Sequence, residues 1–139
     1  MQADDPVSRL MSREPVAIDT EHKPSDARKL MHEHGIHHLP VVQGRRFIGL
    51  ITANDLLRVS FGDTYKQDVR MVDALLDTMT IRDVMQEDVL TVQHDEPIRR
   101  AAQLLADGAF HSLPVLDGDT LVGVLTSTDL IRELLGTYG

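Results

Sequence analysis

One pattern occurs twice in the chain: Gly49-Leu-Ile-Thr52-Ala-Asn-Asp55 and Gly123-Val-Leu-Thr126-Ser-Thr-Asp129. A hydroxyl and a carboxylate three residues apart, at a strand-to-helix junction, have two uses. Thr can accept from an early helical N–H while the acid reaches back to the amide of the Thr, as in a capping box. Glu or Gln is the usual acid-side partner, and Asp has a shorter reach. The same pair also makes a polar mouth for a diol, because one ionised carboxylate accepts from two hydroxyls. Unpaired amides at a helix start suit a phosphate. Spacing leaves both uses open, and they are compatible in different ligation states.

A second stretch, His32-Glu-His-Gly-Ile-His-His-Leu-Pro40, holds four histidines in nine residues. Histidine is the commonest metal ligand and titrates near neutral pH. Residues two apart on a helix, such as His32 and His34, do not face each other. No cysteine or evident carboxylate completes a tetrahedron, so solvated surface histidines are the better reading and no metal ligand is assigned. A pH response through protonation of His37 is kept as an alternative, as is a His-rich metal-responsive module.

These patterns belong to a larger duplication. A shift of 74 positions aligns 7–58 with 81–132 without a gap, and 13 of the 52 pairs are identical. Of the four clustered histidines only His37 recurs, as His111; His32, His34 and His38 face Ala106, Gly108 and Ser112. The recurring element is therefore His-x-Leu-Pro-Val. A regular internal repeat means one supersecondary unit made twice, with apolar faces buried together. The domains expected are 1–58 and 81–139, joined by 59–80.

Each unit reads as helical turn, strand, helix, hairpin, helix. Val16–Ile18 and Val89–Val92 are short apolar strands. Helices over 24–34 and 97–107 have Pro24 and Pro97 near their starts, where a missing N–H costs little, and Gly35 suits a left-handed stop. Its counterpart Ala109 follows Gly108, which shifts the second stop by one. Glycine turns at Gly44 and Gly118 join β-branched runs into hairpins, and closing helices begin near Ala53 and Ser127. Between the copies a polar loop (SFGDTY) precedes Val69, Val72, Leu75, Leu76 and Met79 on one helical face, a stripe that covers the pair or a partner.

Composition narrows the class. Hydrophobic residues are 42% and charged residues 26% of the chain, as in ordinary globular proteins. The net charge of −8 disfavours nucleic acid and anionic membranes as partners. No apolar run approaches the roughly 20 residues of a membrane helix. The N-terminus lacks a secretion signal, and there is no cysteine; both fit the cytoplasm. No Gly-rich phosphate loop and no acid–base or nucleophile constellation is present, so no catalytic residue is assigned and the protein reads as a non-enzyme.

The opening Asp/Arg-x-Met turn, the His-x-Leu-Pro-Val strand and the closing Gly-x-x-Thr-x-x-Asp-Leu, each present twice, resemble a tandem pair of CBS domains, named for cystathionine β-synthase. The resemblance implies an α/β (α+β) fold of two β-α-β-β-α repeats packed through their sheets with pseudo-two-fold symmetry. It implies clefts for adenosine ligands (AMP, ADP or ATP, less readily S-adenosylmethionine or NAD), a homodimer, and an effector protein, enzyme or transporter, regulated by binding. A structural or dimerisation module without ligand is the alternative. Matched to the family's motif, Asp55 and Asp129 would take ribose hydroxyls. Thr52 and Thr126 would lie beside the ribose or α-phosphate, with Asn54 and Thr128 as helpers, and His37 and His111 would face phosphates. The backbone at Ala17–Ile18 and Thr91–Val92 would hold adenine, each strand serving the opposite repeat's Asp. Where arginine often follows the histidine, this chain has His38 and Ser112. Residues 7–58 hold eight Lys/Arg against six Asp/Glu, and 81–132 four against nine. That charge difference predicts the more phosphorylated or tighter ligand in the first cleft, within a screening length of roughly 8–10 Å. The linker face and helix 129–135 are the surfaces expected to meet a partner.

Overall fold

A β-branched run with a glycine turn at its centre folds back on itself, and both repeats do so. The computed structural model of the protein describes residues 2–59, 68–108 and 111–138. In chain order these form a 3-10 turn at Val7–Arg9, β1 (Ser12–Arg13), β2 (Ile18–Asp19), α1 (Pro24–His34), β3 (His38–Gln43), β4 (Arg46–Thr52) and α2 (Ala53–Val59). Then follow α3 (Val69–Leu76), α4 (Ile81–Val84), β5 (Val92–Gln93), α5 (Ile98–Ala106), β6 (Ser112–Asp117), β7 (Thr120–Thr126) and α6 (Ser127–Tyr138). The mixed α/β class is the one expected.

The units of packing are cut differently from the units of duplication. One compact unit is 16–89; the other joins 1–15 to 90–139. Each unit therefore takes its opening turn from the other repeat. Apolar burial gives the reason: Ile81, Val84 and Met85 lie in one core with Ile18, Leu39, Val41 and Ile51, whereas Val7 and Met11 lie in the other with Val92, Leu113, Val115 and Leu125.

Within 16–89, β2 runs parallel to β3, with Ile18 opposite Val41, and β3 is antiparallel to β4. Gln86 adds a bridge to Leu50, through backbone bonds of 2.9 and 2.8 Å. In the other unit β5 runs parallel to β6, β6 antiparallel to β7, and β1 antiparallel to β7 with Ser12 opposite Val124. Gln86 and Ser12 thus hold the same place in their units. Asp19 and Gln93, another repeat-related pair, both clasp the hairpin turn. The Gly44 amide donates to Asp19 Oδ2 at 3.2 Å, and the Gly118 amide to Gln93 Oε1 at 2.9 Å. The amides of Glu21 and Gly44 hold the Asp19 carboxyl below the usual range.

Several local expectations shift. The short strands begin later than expected, at Ile18 and Val92, because the parallel ladders last two residues and start where those side chains enter the cores. Gly35 closes α1 at φ 62°, a left-handed stop. α5 ends at Ala106, capped by Asp107, with Gly108 at φ 105° beyond it; Ala109 and the loop 60–65 lie outside the described residues. The linker stripe is only half buried: Val72 and Leu76 enter the core, Val69 and Leu75 stay exposed, and Met79 packs from beyond the helix end. Side chains fasten α3 to α1. Arg28 Nε and Nη2 donate to Asp73 at 2.6 and 3.0 Å, and Ser25 donates its amide and hydroxyl to Asp77 at 2.9 and 2.7 Å. The Asp73 carboxylate holds the Arg28 guanidinium above its ordinary pKa, against the opposing effect of burial.

The shared glycine of the Thr/Asp motif is structural. A Cβ at Gly49 would stand 2.7 Å from the Gln86 carbonyl oxygen and 2.9 Å from Met85 Sδ; at Gly123 it would meet Met11 Sδ at 2.6 Å and the Ser12 carbonyl at 2.9 Å. Gly49→Ala is expected to destabilise the protein by about 1–2 kcal/mol in urea denaturation, as overpacking does; an unchanged midpoint would contradict the close approach.

Candidate functional site: two polar mouths at the starts of α2 and α6

Hairpin register brings the two recurring motifs side by side. His38 stands opposite Thr52, and Ser112 opposite Thr126. The first helical amide then donates to the histidine carbonyl, Ala53 to His37 at 2.8 Å and Ser127 to His111 at 3.0 Å. His37 and Thr52–Asp55 therefore share one mouth, and His111 and Thr126–Asp129 the other. Both histidine side chains are exposed, as are Asn54 and Thr128. Ala17 and Ile18 belong to the compact unit of Asp55, and Thr91 and Val92 to that of Asp129. The side chains of Ile18 and Val92 are each 1% exposed, so they serve the cores and leave only backbone at those positions.

At both mouths the capping box is formed. The Thr52 amide donates to Asp55 Oδ2 at 2.8 Å and the Asp55 amide to Thr52 Oγ1 at 3.1 Å. The second copy repeats this at 2.9 and 3.1 Å. The cap is thus the use displayed without ligand, and it leaves lone pairs on each carboxylate.

Beyond the cap the copies diverge. Gln86 Nε2 donates to both oxygens of Asp55, at 3.0 and 3.1 Å, and Arg58 forms an ion pair with Oδ1. Asp55 is 1% exposed. Asp129 is half-buried, and among the described residues the Thr126 amide is its one donor; Arg132, the counterpart of Arg58, is exposed and makes no ion pair with it. The repeat pattern missed Gln86 because its counterpart is serine. The signal available was a long amide directly after the shared Met85, where Ser12 follows Met11.

A pocket of about 490 Å³ lies on the helical side of the unit 16–89, walled by Met31, Ile36, Leu56, Val72 and Leu76 with His32 and His37. Neither Thr52 nor Asp55 lines it. Among the described residues no group of three or more His, Asp or Glu is placed to hold a metal ion, and no helix is long and apolar enough to cross a membrane.

The model of the CBS domain matches residues 7–62 and 81–136, and the chain belongs to that family. A homoserine O-acetyltransferase of Methanocorpusculum labreanum is 33% identical over 93% of this chain, which spans 24% of that protein. The CBS-domain pair of protein MJ0100, solved with 5'-methylthioadenosine and S-adenosyl-L-methionine, is 26% identical with a TM-score of 0.72, covering 95% of this chain and 97% of that one. CBSX2, solved with AMP, superposes with a TM-score of 0.80 at 23% identity, over 97% of this chain and 99% of its own. That likeness concerns the fold.

Proposed function

We propose that the protein is a non-catalytic module that binds an adenine nucleotide of the AMP, ADP or ATP type and regulates a partner protein through it. The observation that carries this reading is the half-buried Asp129. It sits beside Thr126 at the start of α6, with its carboxylate engaged, among the described residues, by one backbone amide. Such a group accepts both hydroxyls of a ribose, while the exposed His111 suits the phosphate. The adenosine ligands bound by CBSX2 and by the MJ0100 pair support the ligand class. S-adenosylmethionine and NAD carry the same ribose and are weaker candidates: S-adenosylmethionine has no phosphate for the histidines, and NAD continues beyond its pyrophosphate into a second nucleoside. Thr52, Asn54, Asp55 and His37 form the corresponding mouth, and Thr128 assists Asp129 from the exposed first turn.

Regulation needs a surface that ligand binding alters. Ile131, Leu134 and Leu135 of α6 are 56%, 54% and 63% exposed, and Leu57, the repeat counterpart of Ile131, is 43% exposed. The apolar stripe of α6 is the surface offered to an effector or to a second copy of the chain, and a homodimer would cover it.

Isothermal titration of the purified protein with AMP, ADP, ATP and S-adenosylmethionine tests the reading. AMP-type ligands are expected to bind, and Asp129→Ala should weaken AMP at least tenfold. Silence towards all four ligands would leave the alternative, a structural module whose Thr/Asp pairs are caps only. The saturation of Asp55 by its own neighbours is the observation that favours that alternative.

A further inference from the structure

The geometry points to Gln86 as a latch that makes the two mouths unequal. Asp129 takes a ribose directly, whereas Asp55 does so only after the Gln86 amide has been displaced. This inference rests on the adenosine reading and adds to it an order of filling and the residue that sets the order.

An ionised carboxylate offers about four acceptor positions. Those of Asp55 are taken by the Thr52 amide, by Gln86 on both oxygens and by Arg58. A diol arriving at Asp55 must therefore break bonds to charged acceptor oxygens before it makes its own. At Asp129 the Thr126 amide is the one donor among the described residues, and a diol adds to it without competition.

The difference has an identifiable origin. Gln86 and Ser12 occupy equivalent strand-edge positions, since Gln86 bridges Leu50 and Ser12 pairs with Val124, the repeat partner of Leu50. Each also backs the glycine that opens its motif, Gln86 O beneath Gly49 and Ser12 O beneath Gly123. The backbones thus match, and only side-chain reach differs. Serine ends two carbon–carbon bonds short of glutamine, about 2.5 Å, so the same position latches one carboxylate and leaves the other open.

This local competition opposes the ordering drawn from net charge. The charge excess of the first repeat acts through screened distances and favours phosphate generally. The latch acts by direct contact on the ribose. Neutral adenosine separates the two effects, because it keeps the hydroxyls and lacks the phosphate.

The experiment titrates AMP and adenosine into the wild-type protein, Gln86→Ser, Ser12→Gln and Asp129→Ala by calorimetry. Two unequal binding steps are expected in the wild type, the stronger abolished by Asp129→Ala. Gln86→Ser should tighten the weaker step about tenfold, and Ser12→Gln should weaken the stronger one. Because Gln86 is exposed, its replacement spares the core. Should a variant fail to fold, wild-type NMR decides: the Gln86 side-chain amide signals should move at the second step of an AMP titration and stay fixed during the first. Two equal steps in the wild type, or a weaker step that Gln86→Ser leaves unchanged or loosens, overturns the latch while the ribose reading stands. Absence of AMP binding in every variant removes the ribose reading, and the latch with it.

Discussion

Truncating Leu39 or Leu113 to alanine is expected to cost about 2–5 kcal/mol each, the range for a buried leucine that leaves a cavity. The two residues are repeat counterparts, 0% and 1% exposed, and lie in different cores. Leu39 packs in the unit 16–89 among Ile18, Val41 and Ile51, and Leu113 in the other unit among Val92, Val115 and Leu125. Urea denaturation followed by circular dichroism measures the loss. A cost below 1 kcal/mol at either position would contradict the packing. If two transitions are resolved, each variant should move one of them.

Asp55→Ala and Asp129→Ala should differ in stability although the motif around them is the same. At Asp55 the substitution removes the acceptor for Thr52, Gln86 and Arg58 together, from a side chain that is 1% exposed. Loss of a cap costs about 1 kcal/mol, and loss of hydrogen bonds to a charged group adds to it. A total of about 2–3 kcal/mol is expected. At Asp129 the cap alone is lost, about 1 kcal/mol. Denaturant titration of both variants near neutral pH gives the comparison. Equal losses would mean that the Gln86 and Arg58 contacts contribute nothing to the fold. Asp55→Asn is not expected to rescue the first site, because its amide group would set a donor against the donors of Gln86 and Arg58.

Much of this could be read from the chain in advance. Self-similarity at a fixed shift gives the duplication, and α1 and α5 follow from apolar spacing with a proline at or near each start. The hairpins follow from Gly44 and Gly118, both at positive φ. The Thr/Asp motifs were legible as caps or as diol acceptors, and the structure displays the first. The fastening of α3 to α1 was not legible: Asp73 and Asp77 fall between the repeats, and their partners Arg28 and Ser25 have no counterparts of the same type. Nor was the exchange of opening turns, since Val7 and Ile81 are equally apolar and spacing does not say which core each enters.

The sequence by itself determined the repeat, its elements and the chemistry of the recurring side chains, because helix, hairpin and cap signals act over a few residues. Tertiary structure decided which opening turn completes which core and which carboxylate is engaged. Gln86 and Asp55 are 31 residues apart, and their contact exists only because the β4 edge pairs with the segment after α4. A bond of that kind depends on side-chain length at a folded position, which a local pattern does not carry.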